Sequence, residues 1–95
     1  MAKWLKTKDL LPGIIETDED GISYSDAVAI TDGDHVWVGF LETSEEYGST
    51  WRILEDDCLI DIDLDHIKGW MELPLSTMKF GDSYTVENFL ELLDQ

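Results

Sequence analysis

The chain has 95 residues with 22 acidic and 6 basic side chains, a hydrophobic fraction of 43% and a formal net charge of −16. This length and composition predict a single domain, residues 1–95, with one modest core. Such acidity repels nucleic acid and anionic membranes and attracts basic protein surfaces, so we expect neither direct nucleic-acid binding nor membrane binding.

Short entry and turn segments come first in the chain. Residues 4–12 are predicted to form a short entry element, which Pro12-Gly13 ends because proline disfavours helix at the preceding residue. Residues 16–21 (ETDEDG) are predicted to be a charged loop. Residues 26–30 then alternate, which predicts a strand with Val28 and Ile30 on one face.

The strongest strand signal follows a turn. Asp32-Gly33-Asp34 is typical of a hairpin turn, and residues 35–41 (HVWVGFL) are apolar on both faces, which indicates a central strand. The polar residues 42–50 are predicted to form a loop, and residues 51–54 resume strand character.

The second half of the chain predicts two more strands and a helix. Residues 58–65 alternate, with Cys58 and three aliphatic side chains inward and aspartates outward, and a shorter strand within residues 67–73 ends before Pro74. A helix within residues 82–95 has Thr85 as its N-cap and apolar side chains at helical spacing. The sum is an α+β fold: a small antiparallel sheet of four to five strands with a C-terminal helix packed on it.

Three stretches within residues 4–75 stand out as motifs: WLKTKDLLPG near the start, AVAITDGDHVWVGFLE in the middle and GWMELPL near the end. Together, and in this order, they resemble the motifs of a small family, domain of unknown function 551. The resemblance departs from the family pattern at Gly69, where a His is usual, and at Glu72, where a Pro is usual. The positions that carry it are Trp4, Leu11, Pro12, Val28, Ile30, Asp32, Gly33, Val36, Val38, Gly39, Phe40, Trp70, Met71, Leu73 and Pro74.

The resemblance implies a bacteriophage or prophage origin and a small sheet-based fold. It implies no activity, because the family has none assigned. The matched residues are typical of packing and turn positions, so the residues 82–95 helix and the acidic side chains lie outside what it explains.

An acidic row within residues 58–65 is the main candidate binding surface. Asp61, Asp63 and Asp65 are expected to repeat every ~6.6–6.8 Å along one strand face, close to the phosphate spacing of DNA. The alternative interpretation is a solvated strand face. Other acidic turns are expected either to extend the same negative face or to be ordinary solvated loops: Glu55, Asp56, Asp57, Glu45 and Glu46 with Tyr47 beside them, and residues 18–20.

Metal and catalytic interpretations are less favoured. From Asp61, Glu72 falls at the twelfth position of a calcium-loop pattern, but His66 stands where that loop needs Gly. His35 has no Cys or second His at zinc-ligand spacing, and no nucleophile, phosphate-loop or base pattern occurs. We therefore predict no enzyme activity, no cofactor and no metal.

Cys58 is the only cysteine, so no internal disulfide can form, and its place in an apolar alternation predicts a buried core thiol. No signal peptide is evident in residues 1–10. We expect a cytoplasmic location in a bacterial host.

Binding rather than catalysis is the expected function. The leading hypothesis is a phage-encoded DNA mimic that binds and inhibits a host protein with a basic, nucleic-acid-binding surface, as anti-restriction and anti-CRISPR proteins do. One alternative is a structural module that acts as a homodimer or larger homo-oligomer. A second alternative is a protein that sequesters a small signalling nucleotide, which requires an electropositive pocket.

Overall fold

The computed structural model describes residues 4–94, so the ends of the predicted domain, residues 1–3 and 95, lie outside the described residues. The described residues form nine strands, one short 3-10 helix at Leu64–His66 and one α-helix, α1, at Val86–Leu93. The strands are β1 (Leu5–Lys6), β2 (Ile14–Thr17), β3 (Ser23–Ser25), β4 (Val28–Thr31), β5 (His35–Ser44), β6 (Gly48–Glu55), β7 (Cys58–Ile62), β8 (Gly69–Glu72) and β9 (Ser83–Thr85). The α+β class is confirmed, with more strands than the four to five predicted.

The predicted central strand is confirmed in β5, which belongs to two sheets. Its first half pairs with β4 and β9, and its second half pairs with β3 and β6, all antiparallel. The first sheet therefore runs β1-β8-β4-β5-β9, and the second runs β2-β3-β5-β6-β7. Sharing one long strand curls the two sheets into a half-barrel.

The backbones of β5 and β6 approach closely at Gly39, where their pairing ends. A Cβ on Gly39 would lie 2.4 Å from the Arg52 carbonyl oxygen. Only glycine permits this approach, because any side chain would collide with the backbone of β6. Beyond Gly39 the two strands diverge, and β9 takes the place of β6 beside β5.

Two apolar clusters hold the layers together. One lies inside the half-barrel and is centred on Trp51, Ile30 and Ile53. The other lies between the first sheet and α1 and includes Val36, Val38 and Phe89. The opposite faces of β5 thus enter different clusters, which is why both of its faces are apolar in sequence.

The predicted C-terminal helix is confirmed, with a shorter extent than residues 82–95. The Thr85 hydroxyl accepts a hydrogen bond from the Asn88 amide at 3.1 Å, as an N-cap should. Phe89 is fully buried against the first sheet. Among residues 4–94, no helix is long and apolar enough to cross a membrane.

Two loop predictions are wrong in part, because strands take up some of the residues assigned to loops. Residues 42–50 form the end of β5, a three-residue turn and the start of β6. Their side chains are polar because they lie on the outer part of the second sheet. Residues 16–21 begin within β2, whose four side chains are all exposed. Neither strand has the apolar alternation by which a half-buried strand is recognised in sequence.

The prediction for residues 58–65 is also wrong in part. Strand β7 ends at Ile62, and the chain then turns into the 3-10 helix. Cys58 is exposed rather than buried, because it pairs with Glu55 in the last step of the β6–β7 hairpin, next to its turn. That end of the hairpin extends past the core, so the alternation continues beyond the point where there is anything to pack against.

Candidate functional site

A shallow groove of about 410 Å³ lies where β6 diverges from β5. Its floor consists of four apolar side chains: Trp37, Ile53, Ile60 and Ile62. The imidazole of His35 stacks on Trp37, with ring centroids 5.7 Å apart. The floor continues the apolar cluster inside the half-barrel to the surface, so the groove offers a partner an apolar contact area.

Acidic residues border this floor: Asp32, Glu55, Asp61 and Asp63. His66 lies at the end nearest Asp32. Among the described residues that line the groove there is no lysine or arginine. We call this feature, its four acidic residues and its apolar floor, the acidic groove.

Asp32 is held in place by the turn that it forms. Its Oδ1 accepts hydrogen bonds from the Asp34 and His35 amides, each at 2.9 Å, and its Oδ2 lies 3.5 Å from His66 Nε2. Burial acts to raise the pKa of this carboxyl, but the two amide bonds and the nearby imidazoles outweigh burial and hold the pKa below its usual value. The carboxylate is therefore fixed in position and charged at neutral pH.

Asp61 differs from the other three, because a permanently charged side chain is paired with it. Its carboxylate accepts a hydrogen bond from Arg52, directly opposite on β6, and Arg52 also lies 3.9 Å from Glu42. Strand alternation places this pair on the face opposite Ile60 and Ile62. Asp61 thus borders the acidic groove but contributes little free charge to it.

Asp56 and Asp57 form the turn of the β6–β7 hairpin beside Glu55. Both have positive φ, 51° and 63°, the left-handed conformation that a two-residue hairpin turn requires. Aspartate tolerates this conformation better than most residues. Both side chains are exposed, and they extend the acidic border beyond the end of the groove.

The remaining predicted residues lie elsewhere. Asp65 is in the 3-10 helix and lines a different cleft. Glu45, Glu46 and Tyr47 form the β5–β6 turn, and Tyr47 is 84% exposed. Strand β6 runs from this turn to Glu55 at the far end of the acidic groove, a distance of roughly 23 Å given seven steps of about 3.3 Å each.

The structure therefore divides the predicted surface. Glu55, Asp61 and Asp63 meet at one groove, with Asp56 and Asp57 adjacent, whereas the other four residues do not join them. The regular row of Asp61, Asp63 and Asp65 does not form, because β7 ends before the second of them.

Sequence reasoning missed three residues of the site: Asp32, Trp37 and His66. Asp32 was predicted only as a turn residue and Trp37 only as a strand residue. Their convergence depends on the contact between the β4–β5 turn and the 3-10 helix, which are about thirty residues apart in the chain. The one local signal for a binding site was the amphipathic side chain of Trp37 beside His35.

The calcium-loop pattern that starts at Asp61 does not form one continuous loop. Residues 4–94 contain no group of three or more His, Cys, Asp or Glu side chains placed to hold a metal ion. The calcium-loop residues Asp61 and Glu72 lie in two strands, β7 and β8, separated by the 3-10 helix. That arrangement lacks the continuous loop that a calcium site of this type needs.

No family model, curated protein or solved structure matches the chain. The resemblance to the phage and prophage family therefore still rests on its three sequence motifs.

Proposed function

We propose that this protein is a binding protein and not an enzyme, and that its acidic groove takes up lysine and arginine side chains of a nucleic-acid-binding partner protein. Occupying those side chains prevents them from holding phosphates, so the protein inhibits its partner by competition. The observation that carries the proposal is the combination of an apolar floor with carboxylates on its border, two of which, Glu55 and Asp63, form no ion pair among residues 4–94.

The chemistry of the groove matches that of a basic side chain. Lysine and arginine have long apolar stems and charged ends, and they bury the stem while the charge reaches a polar group. Ile60 and Ile62 offer the apolar contact, and Asp32 and Glu55 offer the charge. Trp37 adds an aromatic ring to which a cation is attracted.

The net charge of −16 supports the same partner class. Long-range attraction speeds the encounter with a basic surface and acts most strongly at low salt. The family resemblance adds a bacterial host as the setting, with the partner in its cytoplasm. In this proposal the protein competes with nucleic acid through contacts in the acidic groove, and not through a row of aspartates spaced like phosphates.

The test is competition between the protein and duplex DNA for a histone-like bacterial nucleoid protein. We expect release of the DNA, and direct binding that weakens steeply as salt rises. The double variant Glu55→Gln/Asp63→Asn removes two charges from the groove border. We expect its affinity to fall about fivefold, since two exposed pairs at about 0.5 kcal/mol each contribute about 1 kcal/mol together.

The matched control is Glu45→Gln/Glu46→Gln, which removes the same charge at the β5–β6 turn, outside the acidic groove. We expect its affinity to change by less than about twofold. Equal losses in both variants would show that net charge alone drives binding. A flat salt dependence, or a stable symmetric oligomer that buries the groove, would contradict the proposal and favour a homo-oligomeric module.

A further inference from the structure

A second cleft, unlike the first, is lined by lysines. It has a volume of about 670 Å³ and lies between the turn after β1 and the 3-10 helix, where the half-barrel is open. Lys6, Lys8 and Lys68 line it, and these are three of the six basic residues of the chain. We call this feature the lysine cleft.

The backbone fixes the positions of these lysines. The Thr7 amide donates to the Lys68 carbonyl at 3.2 Å, and the Lys68 amide donates to the Thr31 carbonyl at 2.9 Å. The amides of Asp9 and Leu10 both donate to the Lys6 carbonyl, which closes the turn that carries Lys8. Basic residues distant in sequence are thereby brought to one site.

None of these lysines forms an ion pair within the described chain. The ion pairs among residues 4–94, at a limit of 4.0 Å, involve only Arg52 and His66 as cations. Asp65 is the one acidic residue among those that line the cleft. In a chain with a net charge of −16, an unpaired excess of positive charge at one site is the reverse of what composition predicts.

The interior of the cleft adds two more features. Leu11, Leu64 and Ile67 give it an apolar wall. Thr7 is nine-tenths buried there, and its hydroxyl has no hydrogen-bond partner among the described residues. A buried hydroxyl without a partner is unfavourable, and rotation about χ1 toward a ligand oxygen in the cleft removes that cost.

We propose that the lysine cleft binds a small organic phosphate that carries an apolar group. Its phosphate meets the ammonium groups of Lys6 and Lys8, which bind phosphate as point charges. The Lys68 ammonium, which lies beside Gly33, reaches the phosphate by rotation of its exposed side chain. Its apolar group packs on Leu11, Leu64 and Ile67. A large polyanion is excluded, because the acidic surface around the cleft repels it.

This inference goes beyond the proposed groove function and does not depend on it. The two sites have opposite charge and share no lining residue. Variants of one site should therefore leave binding at the other unchanged.

The probe is phenyl phosphate, titrated to about 10 mM while backbone amide NMR shifts are followed. We expect saturable shifts at Thr7 and Lys68, with a Kd on the order of 1 mM or below. Inorganic phosphate should bind more weakly, because it lacks the apolar group. Benzyl alcohol should not bind, because it lacks the charge.

Single variants separate the cleft from the general field of the protein. Lys6→Gln, Lys8→Gln and Lys68→Gln should each raise the Kd about threefold to tenfold. The matched control is Lys79→Gln, which makes the same charge change outside the cleft and should alter the Kd less than about twofold. Asp65→Asn should tighten binding, a gain that misfolding cannot produce.

Thr7→Val tests the hydroxyl. It keeps the shape and removes the unpartnered group, so we expect unchanged or higher stability with weaker phenyl phosphate binding. No saturable shift, or an equal loss in Lys79→Gln and the three cleft variants, would overturn the proposal. The groove variant Glu55→Gln/Asp63→Asn should bind phenyl phosphate normally, whatever its effect on the basic partner.

Discussion

Asp32 connects the turn between β4 and β5 to the acidic groove. Its Oδ1 satisfies two amides of its own turn, and its Oδ2 faces His66 on the 3-10 helix. One side chain thus stabilises the hairpin and orients a carboxylate at the groove border. The charged form of Asp32 therefore both stabilises the turn and serves the proposed binding at the groove.

Replacing Asp32 by Asn should lower the free energy of unfolding at pH 7 by roughly 1 kcal/mol, because the amide bonds lose their charged acceptor. The pKa of Asp32 is lower in the folded than in the unfolded protein, so its contribution is present above the ordinary value of 3.8 and disappears as pH falls through the folded pKa. Urea unfolding of both proteins between pH 7 and pH 2 measures this.

The control for that experiment is Asp34→Asn, at an exposed neighbour in the same turn. Its stability difference from the wild type should be small and should not follow the same pH profile. A constant deficit of Asp32→Asn at all pH values would show that packing, and not charge, accounts for the role of Asp32.

The sequence predicts a residue's structural role well where that role depends on neighbours in the chain, and poorly where it depends on distant contacts. The Asp32-Gly33-Asp34 turn and the Thr85 cap depend on neighbours in sequence, and both are confirmed. Cys58 has the same local pattern as Ile60, but its exposure depends on where the hairpin passes the edge of the core. The pairing of Asp61 with Arg52 likewise depends on strand register across the β6–β7 hairpin.

At the scale of elements, β5 organises the fold. It pairs with four other strands and sends side chains into both apolar clusters. Gly39 lies midway along it, where the pairing with β6 ends and the acidic groove begins. The geometry of the groove therefore depends on the close approach of β6 at Gly39.

Replacing Gly39 by Ala should destabilise the fold by about 3 kcal/mol, because the new methyl group would meet the Arg52 carbonyl at 2.4 Å. Gly13→Ala is the matched control, since a Cβ there meets no atom within 4 Å. Chemical denaturation of the two variants measures the difference. Equal stabilities would show that β6 can move away from β5 without cost.

Strands were predicted where burial imposes a pattern on the sequence. Strands β4, β5, β6 and β8 bury side chains and were found, at least in part. Strand β2 is fully exposed and β1 has two residues, so backbone hydrogen bonds define them without an apolar pattern. Such edge strands are visible only when the strands they pair with are in place.

At the scale of the whole molecule, charge is distributed unevenly. Carboxylates border the acidic groove and form the hairpin turns, whereas three of the six basic residues gather at the lysine cleft. The accessible surface of 6438 Å² leaves about 290 Å² for each of 22 acidic side chains, a mean spacing of roughly 17 Å. That spacing exceeds the Debye length of about 8 Å at physiological ionic strength, but not that at low salt.

Repulsion among the acidic side chains should therefore make stability depend on salt. Raising ionic strength from about 0.01 M to about 0.15 M screens this repulsion and should raise Tm by several degrees, since about 1 kcal/mol corresponds to ~4–8 °C in a domain of this size. Calorimetry in sodium chloride and in sodium thiocyanate measures the effect. Equal increases in the two salts indicate screening, because their specific effects on proteins differ.

The Glu45→Gln/Glu46→Gln variant has two fewer charges and should show a smaller increase. A Tm independent of salt would mean that favourable contacts such as Asp61 with Arg52 already offset the repulsion.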